Sequence, residues 1–161
     1  NSKKMSIKIY TDGAAKGNPG KGGYGVVLIS GEHRKEISGG FEKTTNNRME
    51  LLAVIVALEH IKKPNAQITV YSDSKYVVDA IEKKWVFSWN KNNFNKKKNP
   101  DLWRRFLVIY KKHRVKFIWV KGHANNKENN RCDVLAVSAA ESTVLEKDVW
   151  YEKESNGGGL F

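Results

Sequence analysis

Two aspartates in this chain follow the same kind of segment. Asp12 in Tyr10-Thr11-Asp12-Gly13 and Asp73 in Tyr71-Ser72-Asp73-Ser74 each stand just past a short extended apolar stretch. In open α/β sheets reactive groups gather beyond the carboxyl ends of strands. Either Asp alone reads more readily as a turn former or helix cap; the repetition is harder to dismiss. Glu50 lies near the start of an apolar run whose Ala53, Val54, Ala57 and Leu58 fall three, four, seven and eight positions on, the same face of a helix. Its plain alternative is an exposed acid favoured by the helix N-terminus. Asp133 in Asn130-Arg131-Cys132-Asp133-Val134-Leu135 carries the same two readings, with Arg131 as an ion-pair partner. If the four converge they form an oxygen-only cluster, which Mg²⁺ or Mn²⁺ favours and Zn²⁺ does not. Two such ions roughly 3.5 to 4 Å apart serve phosphodiester hydrolysis by activating a water and stabilising the leaving oxygen. Histidine's ordinary range makes a proton-shuttling role chemically possible for His123, in Gly122-His123-Ala124-Asn125-Asn126, although a lone loop histidine is more often a solvated side chain.

The elements that must carry these residues follow from periodicity and turn chemistry. Ile7 and Ile9 alternate with Lys8 and Tyr10 ahead of a turn at Asp12-Gly13, and Gly22 to Ile29 and Lys35 to Phe41 read as two more strands around Ser30-Gly31, an antiparallel meander. Asn46 or Asn47 caps a helix to about His60 that is apolar on most sides and therefore largely buried. Pro64-Asn65 ends it, Gln67 to Tyr71 forms a strand, and Ser74 caps a helix from Lys75 to about Lys83; strand then helix implies a crossover and a parallel pair. Lys83 to Lys98 mixes lysines and aromatics without clean periodicity and is expected to be a solvated protrusion. Asn99-Pro100-Asp101 opens a helix ending near Lys112, Val115 to Val120 is the last strand, and Glu128 to Glu141 the last helix. Trp150 to Phe161, with Gly157-Gly158-Gly159, reads as a frayed tail. The sum is an α/β fold: a mixed five-stranded sheet, three antiparallel strands plus two parallel, with helices on both faces.

Composition sets the outer limits. A chain of 161 residues fits one domain, expected over 5–145 with a C-terminal tail at 146–161. At 40% hydrophobic and 29% charged it has the material for a packed core. Lys and Arg number 29 against 17 Asp and Glu, a formal net charge of +12, which favours a polyanionic partner, nucleic acid ahead of an anionic membrane. Cys132 is the single cysteine, which excludes an internal disulfide framework and cysteine-rich zinc sites, and suits a reducing cytoplasm. The longest apolar run, Leu51 to Leu58, is far shorter than a spanning helix, so no membrane role is expected.

Seven segments in order resemble the type 1 ribonucleases H, the small bacterial ribonuclease HI kind. They are Tyr10-Thr11-Asp12-Gly13, Gly17-Asn18-Pro19-Gly20, Gly22-Gly23-Tyr24-Gly25, Thr44-Thr45-Asn46-Asn47-Arg48-Met49-Glu50-Leu51, Tyr71-Ser72-Asp73-Ser74, Trp119-Val120-Lys121-Gly122-His123-Ala124 and Asn129-Asn130-Arg131-Cys132-Asp133. The resemblance spans nearly all of Ile7 to Ala140 and implies a ribonuclease H-like fold and hydrolysis of the RNA strand of an RNA/DNA hybrid, leaving 5′-phosphate and 3′-hydroxyl ends. It implies Asp12, Glu50, Asp73 and Asp133 as ligands of two Mg²⁺ ions, with Mn²⁺ as a substitute, and His123 as an aid to proton transfer and product release. By the same resemblance Asn18, Asn46 and the backbone around Gly13 and Met49 read the 2′-hydroxyl that separates RNA from DNA. Thr45 meets a phosphate of the DNA strand, and Asn129 also touches substrate. Lys75 stands where the family often has Gln; lysine donates but does not accept, which shifts that contact toward a phosphate. Asn130 replaces a common acid. Lys83, Lys84, Lys91, Lys96, Lys97 and Lys98, interleaved with Trp85, Phe87, Trp89 and Phe94, resemble the family's basic protrusion, with Trp85 and Trp89 against DNA sugars. Trp85 can also be read as a core anchor, and its offset of about one residue from the family spacing makes Trp89 the safer assignment.

Other classes fit less of the chain. A transposase, integrase or junction resolvase shares the acidic sheet but not the Thr44 to Leu51 and Lys121 to Ala124 segments. A hybrid-binding or RNA-binding module has no use for four acids and His123. Met5 just ahead of the first strand, and the free-standing length, favour a separate monomeric protein over a domain cut from a reverse transcriptase.

Overall fold

In the computed structural model, which describes residues 5–122 and 125–157, the central strand is β1 (Ser6–Lys16). On one side it pairs antiparallel with β2 (Gly20–Ser30), which pairs antiparallel with β3 (His33–Thr44). On the other it pairs parallel with β4 (Gln67–Ser72), which pairs parallel with β5 (Arg114–Trp119). This is the expected mixed sheet, in the order β3-β2-β1-β4-β5.

The helices are α1 (Asn46–His60), α2 (Lys75–Glu82), α3 (Trp85–Lys91), α4 (Pro100–Tyr110), α5 (Lys127–Ala140) and α6 (Val149–Gly157). Successive residues of a strand face opposite sides of the sheet. A β-carbon on Gly22 would meet Thr44 and Met49, beside α1, whereas one on Gly23 would meet Ala136 and Ala140 of α5. The two helices therefore cover opposite faces. Leu51, Ala53, Val54, Ile55, Ala57 and Leu58 of α1 are wholly buried, as the apolar run predicts. Burying each large aliphatic among them contributes about 1.5–3 kcal/mol. Trp103 and Phe106 of α4 complete the core, their rings edge-on at 5.6 Å. No described helix is long and apolar enough to cross a membrane.

Four local readings are corrected. The turn expected at Asp12-Gly13 is instead continuous strand, because β2 keeps pairing with β1 as far as Lys16 opposite Lys21. Thr45, not Asn46 or Asn47, caps α1: it is extended (φ −126°, ψ 161°) and its Oγ1 accepts the Arg48 N–H at 3.2 Å, while the Asn46 side chain is taken by the Ala15 N–H. The stretch 83–98 is not simply solvated. It contains α3, buries Val86 and Phe94, and packs Trp89 edge-on against Trp103 at 6.0 Å.

The end of the chain is the fourth correction. Val149–Gly157 is helix, and the buried Asp148 before it accepts from Arg48 Nε at 2.7 Å and from Thr44 Oγ1 at 2.8 Å. The Arg48 guanidinium, 2% exposed, also donates to Asp101 of α4 and lies under the rings of Trp150 and Tyr151. Burial opposes its charge, and the bonds to Asp101 and Asp148 more than offset that, so Arg48 stays protonated.

Candidate active site

Parallel pairing of β1 with β4 ends at Thr11 opposite Ser72, so Asp12 and Asp73 follow the last pair at the same level. Neighbouring strands lie about 4.8 Å apart, which sets two like charges side by side. Glu50 comes to them on the first turn of α1, and Gly13 permits the approach. A β-carbon there would lie 2.4 Å from the Glu50 nitrogen and from the Met49 carbonyl carbon, so only a hydrogen fits. One oxygen from each of Asp12, Glu50 and Asp73 falls within 4.8 Å of the others.

Asp73 is held from the β5 side as well. Trp119 Nε1 donates to its backbone carbonyl at 3.0 Å, and a β-carbon on Gly122 would reach within 2.8 Å of its Oδ2. Asp133, half-buried on α5, stands outside the tight group of three, yet its charge still acts on Asp12. His123 lies outside the described residues.

Burial, and then the charge of Asp73, push the Asp12 carboxyl up to about 7. Glu50 rises well above the usual carboxylate range, first from burial, then from the charges of Asp12 and Asp73 and from its hydrogen bond with Asp12. Glu50 Oε2 is buried without a hydrogen-bond partner among the described residues. A buried carboxyl oxygen with no partner is costly, and a divalent cation would supply one. The donors here are all oxygen. Cys132, the one cysteine in the sequence, is buried, its thiol pushed upward by burial and donating to the Tyr10 carbonyl at 3.2 Å. The residues therefore fit a hard cation such as Mg²⁺ or Mn²⁺.

The expected substrate contacts fall into groups. Asn18, Thr45 and Asn46 come together where Asn18 Oδ1 accepts the Asn46 N–H at 3.1 Å, and the Asn46 side chain in turn accepts from Ala15. Gly13 and Met49 touch through the backbone. Lys75 is exposed, its Nζ 4.8 Å from the centre of the Trp119 ring. Of the two protrusion tryptophans Trp85 is the more exposed, at 46% with Lys83 over it, whereas Trp89 is half-buried against Trp103 beneath Lys97. Asn129 is only 8% exposed, its Nδ2 3.5 Å from the Thr11 carbonyl. The sequence reading gave Trp119 no role; its place at the end of a strand paired to the one that delivers Asp73 was the available signal.

The family model for RNase H matches residues 4–141. The ribonuclease H of Syntrophus aciditrophicus (strain SB) is 55% identical over 150 residues, covering 90% of this chain and 86% of that protein. LC9-RNase H1, a type 1 RNase H with the type 2 active-site motif, superposes with a TM-score of 0.79 at 26% identity, over 95% of this chain and 82% of that one. LC11-RNase H1, solved in complex with an RNA/DNA hybrid, gives 0.66 at 29% identity, over 84% and 96% of the two chains. Agreement in sequence over most of the length, on the same sheet, means that this chain belongs to the type 1 ribonuclease H family.

Proposed function

We propose that the chain cuts the RNA strand of RNA/DNA hybrids internally, by two-metal-ion catalysis, leaving 5′-phosphate and 3′-hydroxyl ends. As a ribonuclease H it is a hydrolase acting on nucleic acid; hybrid specificity and product ends are what this reading adds. The observation that carries it is the group of Asp12, Glu50 and Asp73 with the unpartnered Glu50 Oε2, assembled in a chain of net charge +12. The complex of LC11-RNase H1 with an RNA/DNA hybrid supports the choice of substrate.

Asp12, Glu50 and Asp73, with Asp133 beside them, would hold the cations, Mg²⁺ by preference and Mn²⁺ as substitute. Bound there, they supply Lewis acidity toward a water nucleophile and toward the leaving oxygen. His123 relays a proton and assists product release. Asn18 and Asn46 have their amide oxygens engaged, which leaves NH₂ groups to offer a ribose 2′-hydroxyl. The Gly13 and Met49 backbone and Asn129 complete the RNA side. Thr45 and Lys75 take phosphates, and Trp85 and Trp89 lie toward the DNA sugars with their lysines neutralising charge. Residues 5–145 make up the catalytic domain, 146–161 is an appended segment, and the protein works as a monomer in the cytoplasm.

The test is a gel assay of end-labelled RNA in a hybrid, beside single-stranded RNA, duplex RNA and duplex DNA, with Mg²⁺, Mn²⁺ or EDTA. Metal-dependent cutting of the hybrid's RNA alone is expected. Intact hybrid that still shifts on a native gel would make the chain a binding module, and cut duplex DNA would turn the reading toward a transposase or resolvase.

A further inference from the structure

The end of β5 carries an exposed aromatic for which the proposed chemistry has no use. Trp119 is 42% exposed and pairs with Ser72, the residue before Asp73. Leaving that much of so large a ring in water forgoes part of the gain from burying it. Both of its polar features are engaged all the same: the indole N–H holds the Asp73 carbonyl, and the Lys75 ammonium rests over the π face. Lys75 is itself oddly placed. It is the first residue of α2, where the free N–H groups and the dipole favour anions and disfavour a cation. An exposed ammonium in that position, parked on a ring and two residues from an acid of the cluster, is suited to an anion that arrives from solvent.

We propose that Trp119 is a positioning residue with two tasks: its N–H fixes the Asp73 main chain, and its ring holds the Lys75 ammonium at the rim of the acids, where it receives a phosphate of the bound strand. This rests on the hybrid-cleaving reading and adds to it a residue that touches neither substrate nor cation.

Three variants separate the tasks. Trp119→Phe keeps a ring and lacks the N–H, Trp119→Leu lacks both, and Lys75→Met keeps the stem without the charge. Hybrid affinity is measured in EDTA across about 50 to 200 mM KCl, and cleavage rate is measured against Mg²⁺ concentration. Lys75→Met should lower the slope of log affinity against log salt by about 0.9, one phosphate contact. Trp119→Leu should lower it about as much although it removes no charge, and the double variant no further. Trp119→Phe should keep the slope and need several-fold more Mg²⁺ for half-maximal rate. A merely structural tryptophan would lower the melting temperature and leave the slope alone. An unchanged slope in Trp119→Leu, additive slopes in the double variant, or an unchanged Mg²⁺ requirement in Trp119→Phe would overturn the assignment. A wild-type chain that neither binds nor cuts the hybrid would overturn the underlying reading with it.

Discussion

Replacing Asp12 by Asn should make the metal-free protein more stable while it destroys cleavage. Burial and the neighbouring Asp73 lift the Asp12 carboxyl from 3.8 to about 7. At about 1.36 kcal/mol for each tenfold change in proton affinity, that corresponds to about 4 kcal/mol. The sign follows from linkage. Below about pH 4 the group is protonated in both folded and unfolded chains, and its contribution to folding is fully present. As pH rises to about 7 the unfolded chain gives up the proton while the folded one keeps it, so that contribution is progressively lost. Asn keeps the size and the acceptor for the Gly13 N–H, 2.9 Å away in the wild type, but still buries an amide, so a gain of about 2 to 4 kcal/mol is expected at pH 8. Urea unfolding in EDTA reads it as a midpoint raised by about 1–2 M for a slope near 2 kcal/mol/M. The gap should close toward pH 4, and Mg²⁺ should narrow it by stabilising only the wild type. Hybrid binding should survive, since the basic face is untouched. An Asp12→Asn protein no more stable than wild type at pH 8, or equally favoured at pH 4 and 8, would refute the reasoning.

Arg48→Ala should cost about 3–5 kcal/mol in urea unfolding, because it leaves the buried Asp148 unpaired; adding Asp148→Asn should restore part of the loss. Gly13→Ala should destabilise by about 1–3 kcal/mol and slow cleavage, since its methyl group would meet the backbone of Met49 and Glu50; a normal melting curve with normal rate would show that α1 can retreat freely. His123→Ala should slow single-turnover cleavage without abolishing it, and an inert variant that still binds hybrid would make the histidine indispensable.

The strands, the crossover and the buried α1 were readable because each rests on a local period: alternation in Ile7 to Tyr10, and an apolar run from Leu51 to Leu58. Asp12 and Asp73 were readable as a pair because they follow similar segments. Their equal level was not, since it depends on β1 and β4 pairing in register across sixty residues of chain. The Asp12-Gly13 turn was misread for the same reason: Asp-Gly is a strong local turn signal, and nonlocal pairing with β2 overrode it. Trp85 and Trp89 have similar lysine-rich surroundings in sequence; only the position of Trp103 on α4 decides which ring is covered. Helix α6 was missed because its anchor is an ion pair between residues 100 positions apart, which no local pattern announces.

That distant ion pair bears on the chemistry through geometry. Arg48 and Glu50 are two residues apart on α1, which at about 100° per residue puts them roughly 200° apart around the helix. One side is fixed by Asp101 and Asp148, the other rests on Gly13 of β1 and carries the carboxylate. Replacing buried ion pairs by apolar residues often costs a protein nothing, so the Arg48 network is weak evidence for stability. Its better-supported effect is to restrict rotation of the first turn. A helix held only by the apolar contacts of Leu51, Val54 and Ile55 could turn by a fraction of a residue and still bury them, yet such a turn would carry Glu50 Oε2 away from Asp12 and Asp73. The aim of the acid thus depends on Asp148, just ahead of α6, a segment that carries none of the clustered acids.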